Sequence, residues 1–176
     1  MLIALGVAAL TGTSDENGGN TSGPLAPVTA PAPPHAKAEA GPCAKVLAQL
    51  PLQLGKLQPR VVHTTPETPY VVAWGDPPVL LSCGVDRPRD LRPTSGAQYF
   101  GMGPASGPFY TVTSTGHTNV YTTVDRGPYI AISVPTPPYE GGDVVPPLSR
   151  AIAKALPAVC VIDSAAPPNR SCTHRP

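Results

Sequence analysis

Four cysteines, Cys43, Cys83, Cys160 and Cys172, are the residues of this chain with the widest chemical reach. An even number at wide spacing, with no Cys-x-x-Cys, points to a disulfide framework rather than a zinc site or a redox pair. Four cysteines allow three pairings. Cys43–Cys83 with Cys160–Cys172 is favoured, because the second pair would bracket a short tail that has little else to anchor it. In the chain-entropy view the two loops would contribute roughly 4 and 3 kcal/mol. The alternative is four unpaired thiols in a reducing compartment. A catalytic cysteine needs an accessible, low-pKa thiolate with a histidine beside it. Cys83 follows a β-type run and precedes Gly84, a setting that suits half of a buried disulfide better.

The other candidates weigh the same way. His35 and His174 lie near the two ends, leaving His63 and His117 in the central region. No His-x-x-x-His, Gly-x-Ser-x-Gly or Ser-x-x-Lys element gives either a role, so a solvated imidazole is expected at both. Glycosidic or hydrolytic chemistry needs two carboxylates facing one site. Asp76, Asp86, Asp90 and Asp125 instead stand next to turn residues, where carboxylates hydrogen-bond the local backbone. Trp74 and Tyr70 could line a shallow groove for a sugar or peptide, with Arg87 supplying a charge. With so few aromatics available, Trp74 is expected in the core. No residue is assigned to a catalytic role, a cofactor or a metal.

The chain has room for one ordinary domain and an extension. Pro 26 and Gly 17 among 176 residues are well above normal usage and signal a low-complexity segment. A net charge of +1 and charged residues at 13% offer no basic stripe, which argues against nucleic acid as a partner. Met1 to Leu10 is apolar without interruption, too short to cross a bilayer but of the length of a signal-peptide core. No basic residue precedes it. Translation is therefore expected to start further upstream, and residues 1–12 are read as the remnant of an export signal or membrane anchor. Residues 13–42, rich in Pro, Gly and Ala, are expected to be a disordered spacer. The domain is placed at 43–160 and a tail at 161–176.

The elements that must position these residues follow from periodicity. Val46, Leu47, Leu50 and Leu54 fall at helical spacing behind Pro42, and Pro51 should end that helix after Leu50. Arg60 to His63, Tyr70 to Trp74 and Val79 to Ser82 are short β-type runs; Gly75-Asp76-Pro77-Pro78 turns the chain between the last two. Phe109 to Ser114, Asn119 to Val124 and Pro128 to Val134 read as a three-stranded antiparallel meander. Leu148, Ile152, Ala155 and Leu156 mark an amphipathic helix, with Asp143 as its cap and Pro146-Pro147 in its first turn. Two helices on one face of a small antiparallel sheet give a disulfide-stapled α+β domain.

The Leu-rich helix opened by Cys43, the run Trp74-Gly75-Asp76-Pro77-Pro78-Val79-Leu80-Leu81-Ser82-Cys83-Gly84, the pair Arg87-Pro88 and the Ala-rich helix near Ala151 to Leu156 together resemble a family. It is the actinobacterial family of domain of unknown function 3515. Ser82 departs from the basic residue expected there. The resemblance implies a small exported or membrane-anchored protein and carries over no catalytic residue. The expected function is that of an exported envelope protein, secreted or tethered through its N-terminus, whose domain is a non-enzymatic interaction or accessory module. Its partner would be an envelope protein or a cell-wall component. The alternatives are a cell-wall hydrolase or transferase, and a carrier of a lipid or wall fragment.

Overall fold

A computed structural model describes residues 23–89, 91, 98–99 and 107–159. Among these residues the chain forms strand β1 (Val28–Pro31), helix α1 (Ala40–Leu47) and strands β2 (Pro59–Arg60), β3 (Val62–Thr65), β4 (Val71–Trp74), β5 (Val79–Cys83) and β6 (Gln98–Tyr99). Strands β7 (Phe109–Thr115), β8 (Thr118–Thr123) and β9 (Ile130–Pro135) and helix α2 (Gly141–Ala155) follow. The main sheet has the order β2-β4-β5-β9-β8-β7-β6, and β1 pairs in parallel with β3 in a small second sheet. Every pairing in the main sheet is antiparallel. The meander is present as β7-β8-β9, and its last strand returns to lie beside β5.

Because side chains alternate across a strand, register assigns each residue to a face. Cys83, Leu81 and Val79 of β5 share one face with Ile130, Ile132 and Val134 of β9, and all six are fully buried. Tyr121 of β8 and Tyr110 of β7 extend this face, their rings meeting edge-on with centroids 6.4 Å apart. Cys43 and Val46 from α1 and Val144, Val145, Leu148 and Ile152 from α2 join the same core. Both helices therefore cover one side of the sheet, giving the α+β layering.

The Cys43–Cys83 disulfide joins α1 to the end of β5 across 40 residues, with both cysteines buried. Cys160 and Cys172 lie outside the described residues.

The main correction concerns the N-terminal boundary. Ordered structure reaches well back into residues 13–42, where composition predicts a disordered spacer. Val28, Thr29, Ala30 and Pro31 pair with Val62, His63, Thr64 and Thr65, and Ala30 is buried. The segment is fixed by long-range backbone contacts that its own composition does not announce. Arg60 Nε donates to the carbonyl of Ala26 at 2.8 Å, and His35 N donates to the carbonyl of Gly84 at 2.9 Å. Gly84 has φ +88°, and a Cβ there would stand 2.8 Å from the backbone nitrogen of Ala36. Only glycine lets the two strands of backbone approach so closely. Removing residues through Pro34 is thus expected to destabilise the domain by about 2–4 kcal/mol. That figure sums a few hydrogen bonds of about 0.5–1.5 kcal/mol each. Thermal unfolding of the shortened chain checks it; an unchanged midpoint would mean that β1 adds nothing.

Helix α2 also begins earlier than its prolines suggest. Glu140 is the N-cap residue, with no side-chain cap, and Asp143 lies inside the first turn. Pro146 and Pro147 fall in the second turn, where the acceptors they leave unused belong to Gly142 and Asp143, both exposed to water. Starting at Gly141 buries Val144 and Val145, and that burial outweighs the lost hydrogen bonds.

Candidate functional site

Among the described residues, the helices cover one face of the sheet and no element lies over the centre of the other. On that second face, Thr113 of β7, Val120 of β8, Ser133 of β9 and Leu80 of β5 form one cross-strand row. Thr111, Thr122, Ala131 and Ser82 form the next. All eight are half-buried or exposed. Toward β4 the face closes, since Val71 and Ala73 are buried. No residue of β4, β5, β7, β8 or β9 carries a charge. The hydroxyls of Ser82, Thr111, Thr113, Thr122 and Ser133 make no hydrogen bond to another described residue. The result is a surface of small side chains, uncharged and able to donate and accept hydrogen bonds outward.

At the end of β8 the chain builds a second polar feature, inside the fold. Asp125 Oδ1 accepts from the backbone N–H of Phe109 at 2.8 Å, tying the turn to the start of β7. Asp125 Oδ2 accepts from Arg126 Nη1 at 2.6 Å, and the Asp125 carbonyl accepts from the same Nη1 and from the N–H of Val159, both at 2.9 Å. Asp125 and Arg126 are 4% and 2% exposed, so this ion pair is withdrawn from water. Close by in the core, Tyr110 and Ser149 share a hydrogen bond of 2.8 Å between their hydroxyl oxygens, and Ser149 Oγ donates on to the carbonyl of Val145.

Burial raises the Asp125 carboxyl above its ordinary range, and this outweighs the attraction of Arg126 and the bond from Phe109. Burial likewise raises the Tyr110 hydroxyl. A carboxyl raised on folding binds its proton more readily in the native state. Its contribution to stability is therefore full below about pH 3.9, the unfolded value, and is lost as pH rises through the native value. The stability of the parent relative to Asp125→Asn is accordingly expected to fall as pH rises from about 4 through the raised native value. Denaturant titrations of both proteins check this, and a parent that gains on the variant over that interval would contradict it.

Among the described residues, those singled out in the sequence do not converge. Trp74 is 3% exposed and faces the core, with its Nε1 donating to the carbonyl of Leu52 at 3.3 Å. Tyr70 is partly buried against the same core. Arg87 lies beyond β5, where Nη1 meets the Tyr129 hydroxyl and Nη2 the carbonyl of Leu91, each at 3.2 Å. A groove lined by Trp74 with Arg87 at its edge is thereby replaced by a core residue and a loop brace. Asp76 is a turn residue bonded to Arg60 at 3.0 Å. His63 and His117 are exposed. Among the described residues the histidine that meets a carboxylate is His35, 2.9 Å from Asp86, with both side chains at the surface. Cys83 is consumed in its disulfide. Asp90 and His174 lie outside the described residues.

Among the described residues no group of His, Cys, Asp or Glu is arranged to hold a metal ion, and no helix is long and apolar enough to cross a membrane. What the geometry defines is an α+β domain closed by a buried disulfide, with one face of its sheet under helices and, among the described residues, no element over the centre of the other. The chain belongs to the family described as protein of unknown function (DUF3515), which it matches over residues 1–161. No curated protein and no solved structure matches it.

Sequence reasoning did not single out the open face or the Asp125–Arg126 pair. The face has a signal in the chain: Thr111, Thr113 and Thr115 alternate with Tyr110, Val112 and Ser114, and nothing in these strands is charged. Asp125-Arg126-Gly127 has none, because its composition is that of a solvated turn.

Proposed function

We propose that the domain is a non-enzymatic interaction module of an exported envelope protein, docking through the open face of its main sheet. The observation that carries this reading is the set of uncharged rows on β5, β9, β8 and β7. An outward sheet face normally carries Lys, Glu and Arg for solubility. Their absence across the central strands suits a surface that is covered in use, and the free hydroxyls supply the polar bonds an interface needs. The buried Cys43–Cys83 disulfide supports work in an oxidising compartment. Among the described residues the contact between a histidine and a carboxylate is a surface pair, which favours an interaction module over a hydrolase.

Position-resolved photo-crosslinking in intact cells tests the reading. A photoreactive residue at Thr113 or Thr122 should give a discrete adduct, while the same residue at the exposed positions Gln53 or His63 should not. Adducts from Gln53 and His63 but none from the face would move the docking surface elsewhere and end this assignment.

A further inference from the structure

In a two-fold pairing of identical chains a surface meets its own copy, so a charge near the axis meets a like charge. The two central rows of the open face hold no charge, and the next row, Thr115, Thr118 and Pro135, holds none either. A partner that docks through acidic or basic groups would find no counter-charge there. The five hydroxyls of the central rows are not bonded to other described residues, and a hydroxyl both donates and accepts. Such a surface is complementary to itself. Its side chains are also short and lie on the pleat of regular antiparallel strands, which suits the spacing of about 10 Å at which two sheets stack.

We propose that the occupant of the open face is a second copy of this chain, the two sheets stacking face to face about a two-fold axis. The proposal rests on the reading of this face as a docking surface. The open area spans β5, β9, β8 and β7, and the buried Val71 and Ala73 of β4 end it on one side. The axis passes between the middle strands β9 and β8, where Ala131 and Thr122 are paired. Four strands by three rows cover roughly 400 Å² of each copy at ordinary strand and row spacings. Two such faces together fall short of the roughly 1,200 Å² of a stable complex, so the pairing is weak and reversible.

The test follows the backbone amide resonances of the full-length, disulfide-intact protein as its concentration rises from about 20 μM to about 1 mM, the range in which a weak pair fills. The amides of Thr111, Thr113, Thr122 and Ser133 should shift with concentration, while those of Gln53 and His63 stay fixed. Thr122→Lys and Thr122→Glu, each alone, should weaken self-association at least about tenfold, because each sets like charges face to face. An equimolar mixture of the two variants should restore it, which a merely structural defect would not do. Resonances of the face that stay fixed throughout, or shifts at Gln53 and His63 in their place, would overturn the pairing. The parent alone gives that result, so it is decisive even if a Thr122 variant does not fold. In intact cells, a photo-crosslink from Thr113 or Thr122 to a second copy supports the pairing. A crosslink to a different protein instead overturns the second copy and leaves the docking surface standing, whereas no adduct from the face ends both.

Discussion

Trp74→Ala is expected to remove about 3–5 kcal/mol of stability, the usual cost of truncating a buried tryptophan. Trp74 closes β4 directly opposite Val79 on the face the helices cover, and it is 3% exposed. Its indole N–H is committed to the Leu52 carbonyl, so the change would also unfasten the segment that follows α1. Gly75, next in the chain, holds φ +75° with Tyr139 and Leu57 packed where a Cβ would point, which fixes the direction in which the tryptophan enters the core. Small domains are stable by only about 5–15 kcal/mol, so the variant should unfold at far lower denaturant concentration or be recovered aggregated. Because this is the sole tryptophan, emission in the parent reports on it alone. Blue-shifted emission resistant to acrylamide is the expected result. Efficient quenching together with a stable Trp74→Ala protein would place the ring at a binding surface instead.

Removing the Cys43–Cys83 bond is expected to cost about 4 kcal/mol, the loop-closure value for about 40 residues. The bond holds α1 to the end of β5, and both cysteines are wholly buried. Cys43→Ala with Cys83→Ala avoids leaving buried hydroxyls. For a domain of this size the loss corresponds to a fall in thermal midpoint of about 12–20 °C. A double variant that melts within a few degrees of the parent would show that the core of Val46, Leu81, Ile132 and Leu148 holds α1 without help.

What can be read from the chain is what repeats along it. The meander of β7, β8 and β9 announces itself through β-branched and aromatic residues at alternate positions, broken by Gly116 and Gly127. Val144, Leu148 and Ile152 likewise recur at helical spacing. Cys43 and Cys83 are legible because a helix and a strand each place a cysteine on the apolar side. β1 is not, since Val-Thr-Ala-Pro has neither length nor alternation to distinguish it from a proline-rich spacer. It is positioned by Arg60 and by the missing side chain of Gly84, partners that are distant in sequence. The start of α2 is obscured for a related reason, because Pro146-Pro147 reads as a first turn unless the burial of Val144 and Val145 is known. Arg126 illustrates the limit most sharply. A charged residue in an Asp-Arg-Gly turn is ordinarily solvated, whereas here its partner Asp125 is tied to the start of β7 and to Val159 beyond α2, contacts distant in sequence.

The proposed role as an exported module requires that the Cys43–Cys83 bond be closed in the protein's native compartment. The direct measurement is mass spectrometry of protein recovered from its native compartment and alkylated without reductant. The expected result is a linked pair of peptides containing Cys43 and Cys83, with neither residue alkylated. Free, alkylated Cys43 and Cys83 in protein taken from its native compartment would contradict both the staple and the proposed location.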